Sequence, residues 1–169
     1  MIWRSLLGIS FCFLTAVVEA KGPTQDLSQG WRFSPGDQPE WAAEDFDDSG
    51  WDQIEVGKPW ERAGNPRLDG YAWYRLRFKI DPQLRDSPEL QRSGKMIFCL
   101  GKIDDIDQAW LNGTSIGQTG SFPDSYSTQW AKQRLYEVPS HLLRSEQENV
   151  LAVRVYDGSH LGGMYEGPY

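Results

Sequence analysis

Histidine and cysteine are nearly missing from this 169-residue sequence, at two residues each. Cys12 lies in the apolar run near the N-terminus, so only Cys99 remains if that run is removed, and an internal disulfide is then excluded. Cys99 sits in the apolar stretch Met96–Leu100, which suits a buried thiol. A nucleophilic cysteine needs an exposed, electropositive setting instead. With His141 and His160 alone, no zinc-ligand spacing exists. Basic residues are also in the minority: 17 Lys and Arg face 24 Asp and Glu, a formal charge of −7. Such a balance argues against nucleic acid and anionic membrane as partners. Helical periodicity is almost absent, and no apolar run is long enough to span a bilayer.

The N-terminus has one clear pattern. Arg4 precedes the apolar run Leu6–Val18, and Val18-Glu19-Ala20 ends it with small residues around a cut site. This is the layout of a secretory signal peptide, so residues 1–20 are expected to be removed and the chain to be secreted or periplasmic. Residues 21–30 then read as a tail, and residues 31–169 as one domain with length enough for a core.

Within that domain the clearest local signal is Asn112-Gly113, between the alternating stretches Gln108–Leu111 and Thr114–Gly117. Asn-Gly suits the two left-handed positions of a type I′ turn, which predicts a β-hairpin. Tyr71–Ile80 is the strongest strand, with Tyr74, Leu76, Phe78 and Ile80 on one face and Arg75, Arg77 and Lys79 on the other. Asn149–Tyr156 is a second, with Leu151, Val153 and Val155 aligned. Met96–Leu100 is apolar throughout, which predicts a strand covered on both faces. Trp31–Phe33, Ile54–Val56 and Arg134–Val138 are shorter candidates. Asp81–Gly94 reads as a polar surface connection, and Pro139–Leu143 as one helical turn. Short strands separated by turn signals predict an all-β domain, and two packed sheets bury more apolar face than one, so a β-sandwich is expected.

Several motifs then fall in one order: Trp31-Arg32-Phe33, Asp45-Phe46-Asp47-Asp48-Ser49 with Trp51, Gly70–Arg75, Leu100-Gly101 through Asp104, Leu111-Asn112-Gly113 with Ile116-Gly117, and Asn149 through Asp157. Together they resemble the N-terminal sugar-binding domain of family 2 glycoside hydrolases, the β-galactosidase and β-glucuronidase group. That domain also recurs in sialate O-acetylesterase-like proteins. The resemblance spans about Trp31–Pro168 and implies a galactose-binding-like jelly roll. In those glycosidases the two catalytic glutamates sit about 5 Å apart on a separate (β/α)₈ barrel. No such barrel is encoded up to Tyr169, so no catalytic residue is expected on this chain. The resemblance implies non-catalytic carbohydrate binding in extracellular or periplasmic carbohydrate metabolism. The alternatives are a scaffold that docks on a separate hydrolase chain, or a remnant of a longer glycosidase or sialate esterase.

Three constellations carry the site expectations. Trp60, Asn65, Asp69, Tyr71, Trp73, Tyr126 and Trp130 flank the two longest loops, and aromatic faces with Asn and Asp are the groups that hold sugars. Arg75 beside Trp73 joins them as a sugar-binding candidate. Singly, each tryptophan reads first as core, since aromatics are mostly buried. Asp104, Asp105 and Asp107 offer hard oxygen ligands for a structural calcium, with Asp105 and Asp107 on one side of an extended segment and Asp104 on the other. Backbone capping is the competing reading there. It is favoured both there and in Asp45–Trp51, DFDDSGW, where the alternative is a calcium loop. Finally, Asp157-Gly158-Ser159-His160 has the Asp-x-x-His spacing of an esterase. Gly36-Asp37-Gln38 lacks the serine that such a triad needs, so the spacing is discounted.

Overall fold

The computed structural model describes residues 22–168; the expected signal peptide lies outside them. Nine strands form in chain order: β1 (Arg32–Pro35), β2 (Asp52–Gln53), β3 (Gly70–Phe78), β4 (Lys95–Asp104), β5 (Ile106–Leu111), β6 (Thr114–Thr119), β7 (Gln133–Pro139), β8 (Asn149–Asp157) and β9 (Gly163–Glu166). They make a six-stranded sheet, β2-β1-β3-β8-β5-β6, and a three-stranded sheet, β7-β4-β9. Every strand pair is antiparallel. The chain is an all-β sandwich, as its pattern predicts.

The core lies between the sheets. Phe33, Tyr74, Leu76, Leu111, Leu151 and Val153 come from the larger sheet, and Phe98, Leu100, Ile103, Val138 and Met164 from the smaller. Each fully buried apolar side chain of this size contributes about 2 kcal/mol. Asn112 (φ 49°) and Gly113 (φ 78°) make the expected turn between β5 and β6. The Asn112 carboxamide also reaches outside the hairpin: it donates to the Leu142 carbonyl at 2.9 Å and accepts from the Val150 N–H at 2.8 Å. The turn residue thus locks the hairpin to β8.

Five expectations change. Met96–Leu100 is covered on one face only: Phe98 and Leu100 point inward, while Ile97 is 58% exposed, beside Leu135 at 59% on β7. The predicted polar face of Tyr71–Ile80 is not solvated throughout, since Arg75 is wholly buried. The short strand falls at β2 rather than Ile54–Val56, because the ladder with β1 ends at Arg32↔Gln53 and Ile54 turns inward. The Asp81–Gly94 connection holds two short helices, α1 (Pro82–Arg85) and α2 (Pro88–Ser93). Asp81 and Ser87 cap them by accepting from the Gln83 and Leu90 N–H groups, and Pro follows each cap. The tail is also docked: Gln25 bridges the Lys79 carbonyl and the Asp81 N–H, and Trp31 donates to the Leu27 carbonyl.

Candidate functional site

Chain crossing between sheets builds the site. β4 belongs to the small sheet and β5 to the large one, so the chain passes from one to the other at Asp105. Strict alternation breaks there, and Asp104 and Asp105 come to the same end of the sandwich instead of opposite sides. The end of β8 brings Asp157 to them. Carboxylate oxygens of Asp104, Asp105 and Asp157 all lie within 4.8 Å of one another.

The third acidic candidate, Asp107, does not join them. It is wholly buried between the sheets, where it accepts from Arg134 Nε at 2.7 Å and from the Tyr136 hydroxyl at 2.6 Å. In the true cluster Asp157 replaces it. In the sequence Asp157 stood out only as the end of the Asn149–Asp157 motif and in the esterase-like spacing. His160 points elsewhere, with Nδ1 2.9 Å from the Ser159 hydroxyl.

The cluster's electrostatics follow from its contacts. Burial opposes the charge of Asp105, but hydrogen bonds from Thr128, Tyr126 and the Gly158 N–H, with one from Asp104, outweigh it and bring the carboxyl down to about 2. Tyr126 lies 2.5 Å from Asp105 Oδ2 and Gly158 N 3.0 Å. Asp104 moves the other way: burial, then its hydrogen bond to Asp105 and the charges of Asp105 and Asp157, push it up to about 7. Burial also pushes Asp157 up to about 7, against the Ser159 N–H and with help from the charges of Asp105, Glu61 and Asp69. Five carboxylates therefore share this end.

Two exposed aromatic residues lie on the loop bonded to it. Tyr126 is 49% exposed and Trp130 54% exposed. The Gln129 N–H donates to the Asp105 carbonyl at 3.0 Å, which ties the Trp130 loop to the cluster. The Tyr165 hydroxyl on β9 donates to the Trp130 carbonyl at 2.9 Å. The structure thus brings Asp69, Asp104, Asp105, Tyr126 and Trp130 together, and adds Glu61, Thr128, Asp157 and Tyr165.

Other sugar-binding candidates lie elsewhere. Trp60 is wholly buried; its indole N–H donates to the Leu68 carbonyl at 2.9 Å and its ring packs on Phe33. Trp73 is equally buried, stacked on Trp110 at 5.1 Å. Arg75 donates to Asp48 at 2.8 Å and to the Trp41 and Phe46 carbonyls, so it anchors the Asp45–Trp51 loop over the outer face of the large sheet. None of the three presents surface to a ligand. The same contacts explain DFDDSGW: Asp48 pairs with Arg75 and Arg77, and Asp47 accepts from the Ser49 N–H at 2.9 Å. Asn65 is half-buried, its backbone closing the turn after Trp60. Tyr71 stacks on Phe122, with the Arg154 guanidinium against both rings.

This architecture has relatives. The sequence matches the family described as "Beta-galactosidase second all-beta domain" over residues 37–160. The chain belongs to that family. No curated protein sequence matches this β-galactosidase all-beta domain. Solved structures do. A Bacteroides uniformis β-glucuronidase aligns with TM-score 0.60 and 20% identity, over 83% of this chain and 17% of its own. A glycosyl hydrolase family 2 member from Bacteroides cellulosilyticus gives 0.61 and 22%, over 83% and 19%. A β-glycosidase from Bacteroides vulgatus gives 0.58 and 20%, over 85% and 19%. At these identities the likeness shows the fold, and the chain spans less than a fifth of each of these structures. The resemblance to family 2 glycoside hydrolases drawn from the sequence is met by both the family and the fold.

Proposed function

We propose that this domain binds carbohydrate without catalysing its cleavage, and does so at the end of the sandwich where Tyr126 and Trp130 border the carboxylate cluster. The observation that carries the reading is that pairing. Sugars present C–H faces that stack on exposed rings and hydroxyls that donate to carboxylates, and this end supplies both. Its surplus of negative charge favours neutral sugars over uronides. The signal-peptide pattern supports an extracellular or periplasmic setting, in service of carbohydrate breakdown. The same chemistry supports Asp69 as a peripheral sugar contact and leaves Asn65 and Tyr71 as flanking residues.

The test is a titration of intrinsic tryptophan fluorescence with galactosides, glucuronides and polysaccharides. A saturable response to neutral sugars, lost in Trp130→Ala with circular dichroism unchanged, is expected. No response to any sugar from the folded protein overturns the reading.

One observation favours a second reading, a scaffold that docks on a separate hydrolase chain. Ile97 and Leu135 stand exposed on the outer face of the small sheet, where a solvated strand ordinarily carries polar residues. Ile97→Lys would disrupt such docking and leave sugar binding intact.

A further inference from the structure

Asp157 is the most unusual polar residue among those described. Its side chain is wholly buried, and its Oδ2 accepts no hydrogen bond, alone among the described buried side-chain atoms. Its Oδ1 accepts from the Ser159 N–H at 3.1 Å. A buried carboxylate oxygen without a donor is costly unless something positive meets it. Among the described residues, no Lys or Arg forms an ion pair with Asp157. Basic groups on β4 and β7 pair elsewhere: Arg134 with Asp107 and the Asp105 carbonyl, Lys102 with Glu166. The groups that do surround Asp157 are acidic, with oxygens of Asp104 and Asp105 inside 4.8 Å.

We propose that Asp104, Asp105 and Asp157 form a calcium site. Three carboxylates are hard oxygen donors with a combined formal charge that a divalent cation offsets. Calcium accepts irregular shells of six to eight oxygens, completed here by water, whereas magnesium demands a near-octahedral arrangement. The pre-set state of Asp105 fits this role. Tyr126, Thr128 and the Gly158 N–H hold it ionised and oriented, as outer hydrogen bonds do for metal ligands. Each carboxylate oxygen has two lone pairs, so an oxygen that accepts from a single donor keeps one for the ion. Asp107, read from sequence as the third ligand, is excluded because its oxygens face Arg134 and Tyr136. The inference stands on carboxylate geometry and does not require sugar binding, so either property can fail without the other.

The experiment uses the whole chain, stripped with EGTA, in two readouts. Thermal unfolding with added calcium is expected to rise by about 5 °C or more at a hundredfold excess over Kd. Terbium in place of calcium should luminesce on excitation of the neighbouring tyrosines and tryptophan. Asp157→Asn keeps the side chain's shape and should weaken both responses at least about tenfold, while Glu89→Gln on α2 leaves them unchanged. Circular dichroism of Asp157→Asn separates loss of binding from loss of fold, and Asp104→Asn, on the more accessible ligand, repeats the test independently. The proposal is overturned if calcium leaves wild-type unfolding unmoved, if Asp157→Asn and Asp104→Asn respond like wild type, or if magnesium gives an equal shift.

Discussion

Arg134 on β7 donates from Nε to Asp107 on β5 across 2.7 Å, with both side chains wholly withdrawn from solvent. This ion pair joins the small sheet to the large one. Arg134 further donates to the Gln129 and Lys132 carbonyls, so the pair also holds down the loop that carries Trp130. Removing one partner strands a buried charge. Asp107→Ala should cost about 3–5 kcal/mol in urea unfolding, and the paired change Asp107→Leu with Arg134→Met should cost far less. Equal losses in the single and paired variants would contradict this role.

Asp48 plays a similar part on the outer face. Its carboxylate receives Arg75 at 2.8 Å and Arg77 at 3.2 Å, and the loop above packs Trp41, Phe46 and Trp51 against one another. Asp48→Ala leaves Arg75 buried without its counter-ion and should destabilise the domain by about 3 kcal/mol. The exposure of Trp41 and Trp51 should appear as a red shift in native fluorescence emission. A variant with wild-type stability would show that the loop is held by its aromatics alone.

Gly101 marks a close approach between strands. Its φ is +73°, and a Cβ there would stand 1.6 Å from the Glu166 carbonyl oxygen on β9. Gly101→Ala must push β9 away from β4, which carries Asp104 at its end. A loss of about 4 kcal/mol or more is expected, seen as failure to fold or a collapse in melting temperature. A soluble variant with unchanged melting would contradict the packing.

Stability should also depend on pH in a direction set by the cluster. Asp104 and Asp157 are raised from an ordinary 3.8 to about 7 in the folded state. Folding therefore takes up protons between those values. The contribution is fully present below the unfolded pKa and is lost as pH rises through the folded one, so EGTA-treated protein should melt progressively lower from about pH 5 to about pH 8. Asp157→Asn should flatten that slope. A melting temperature that climbs over the same range would contradict the cluster's electrostatics.

The parts legible in the sequence were those written in local pattern. Asn112-Gly113 specified its turn by backbone conformation, and the alternation in β3 and β8 specified their faces. Even the two short helices had signals, Asp81-Pro82 and Ser87-Pro88, that a count of prolines as loop residues conceals. The site was less legible because its geometry depends on where one strand leaves a sheet. Asp104 and Asp105 are adjacent, but Asp157 reaches them only through the β3–β8 and β5–β8 pairings. Trp60 and Trp73 sit beside loops in sequence and inside packed layers in space, which residue type does not distinguish. Arg75 and Arg134 are alike in one respect: Arg75 on the outer face of β3 and Arg134 on the inward face of β7 are each buried because an aspartate from a distant loop or strand meets it.

The most direct test of the central claim is to follow the tryptophan indole N–H resonances of the labelled protein during titration with a neutral galactoside. The Trp130 signal is expected to move and saturate, while those of Trp60 and Trp73, bonded inside the fold to the Leu68 carbonyl and Asp37, stay in place. Movement at Trp60 or Trp73 with Trp130 still, or no movement anywhere, would contradict it.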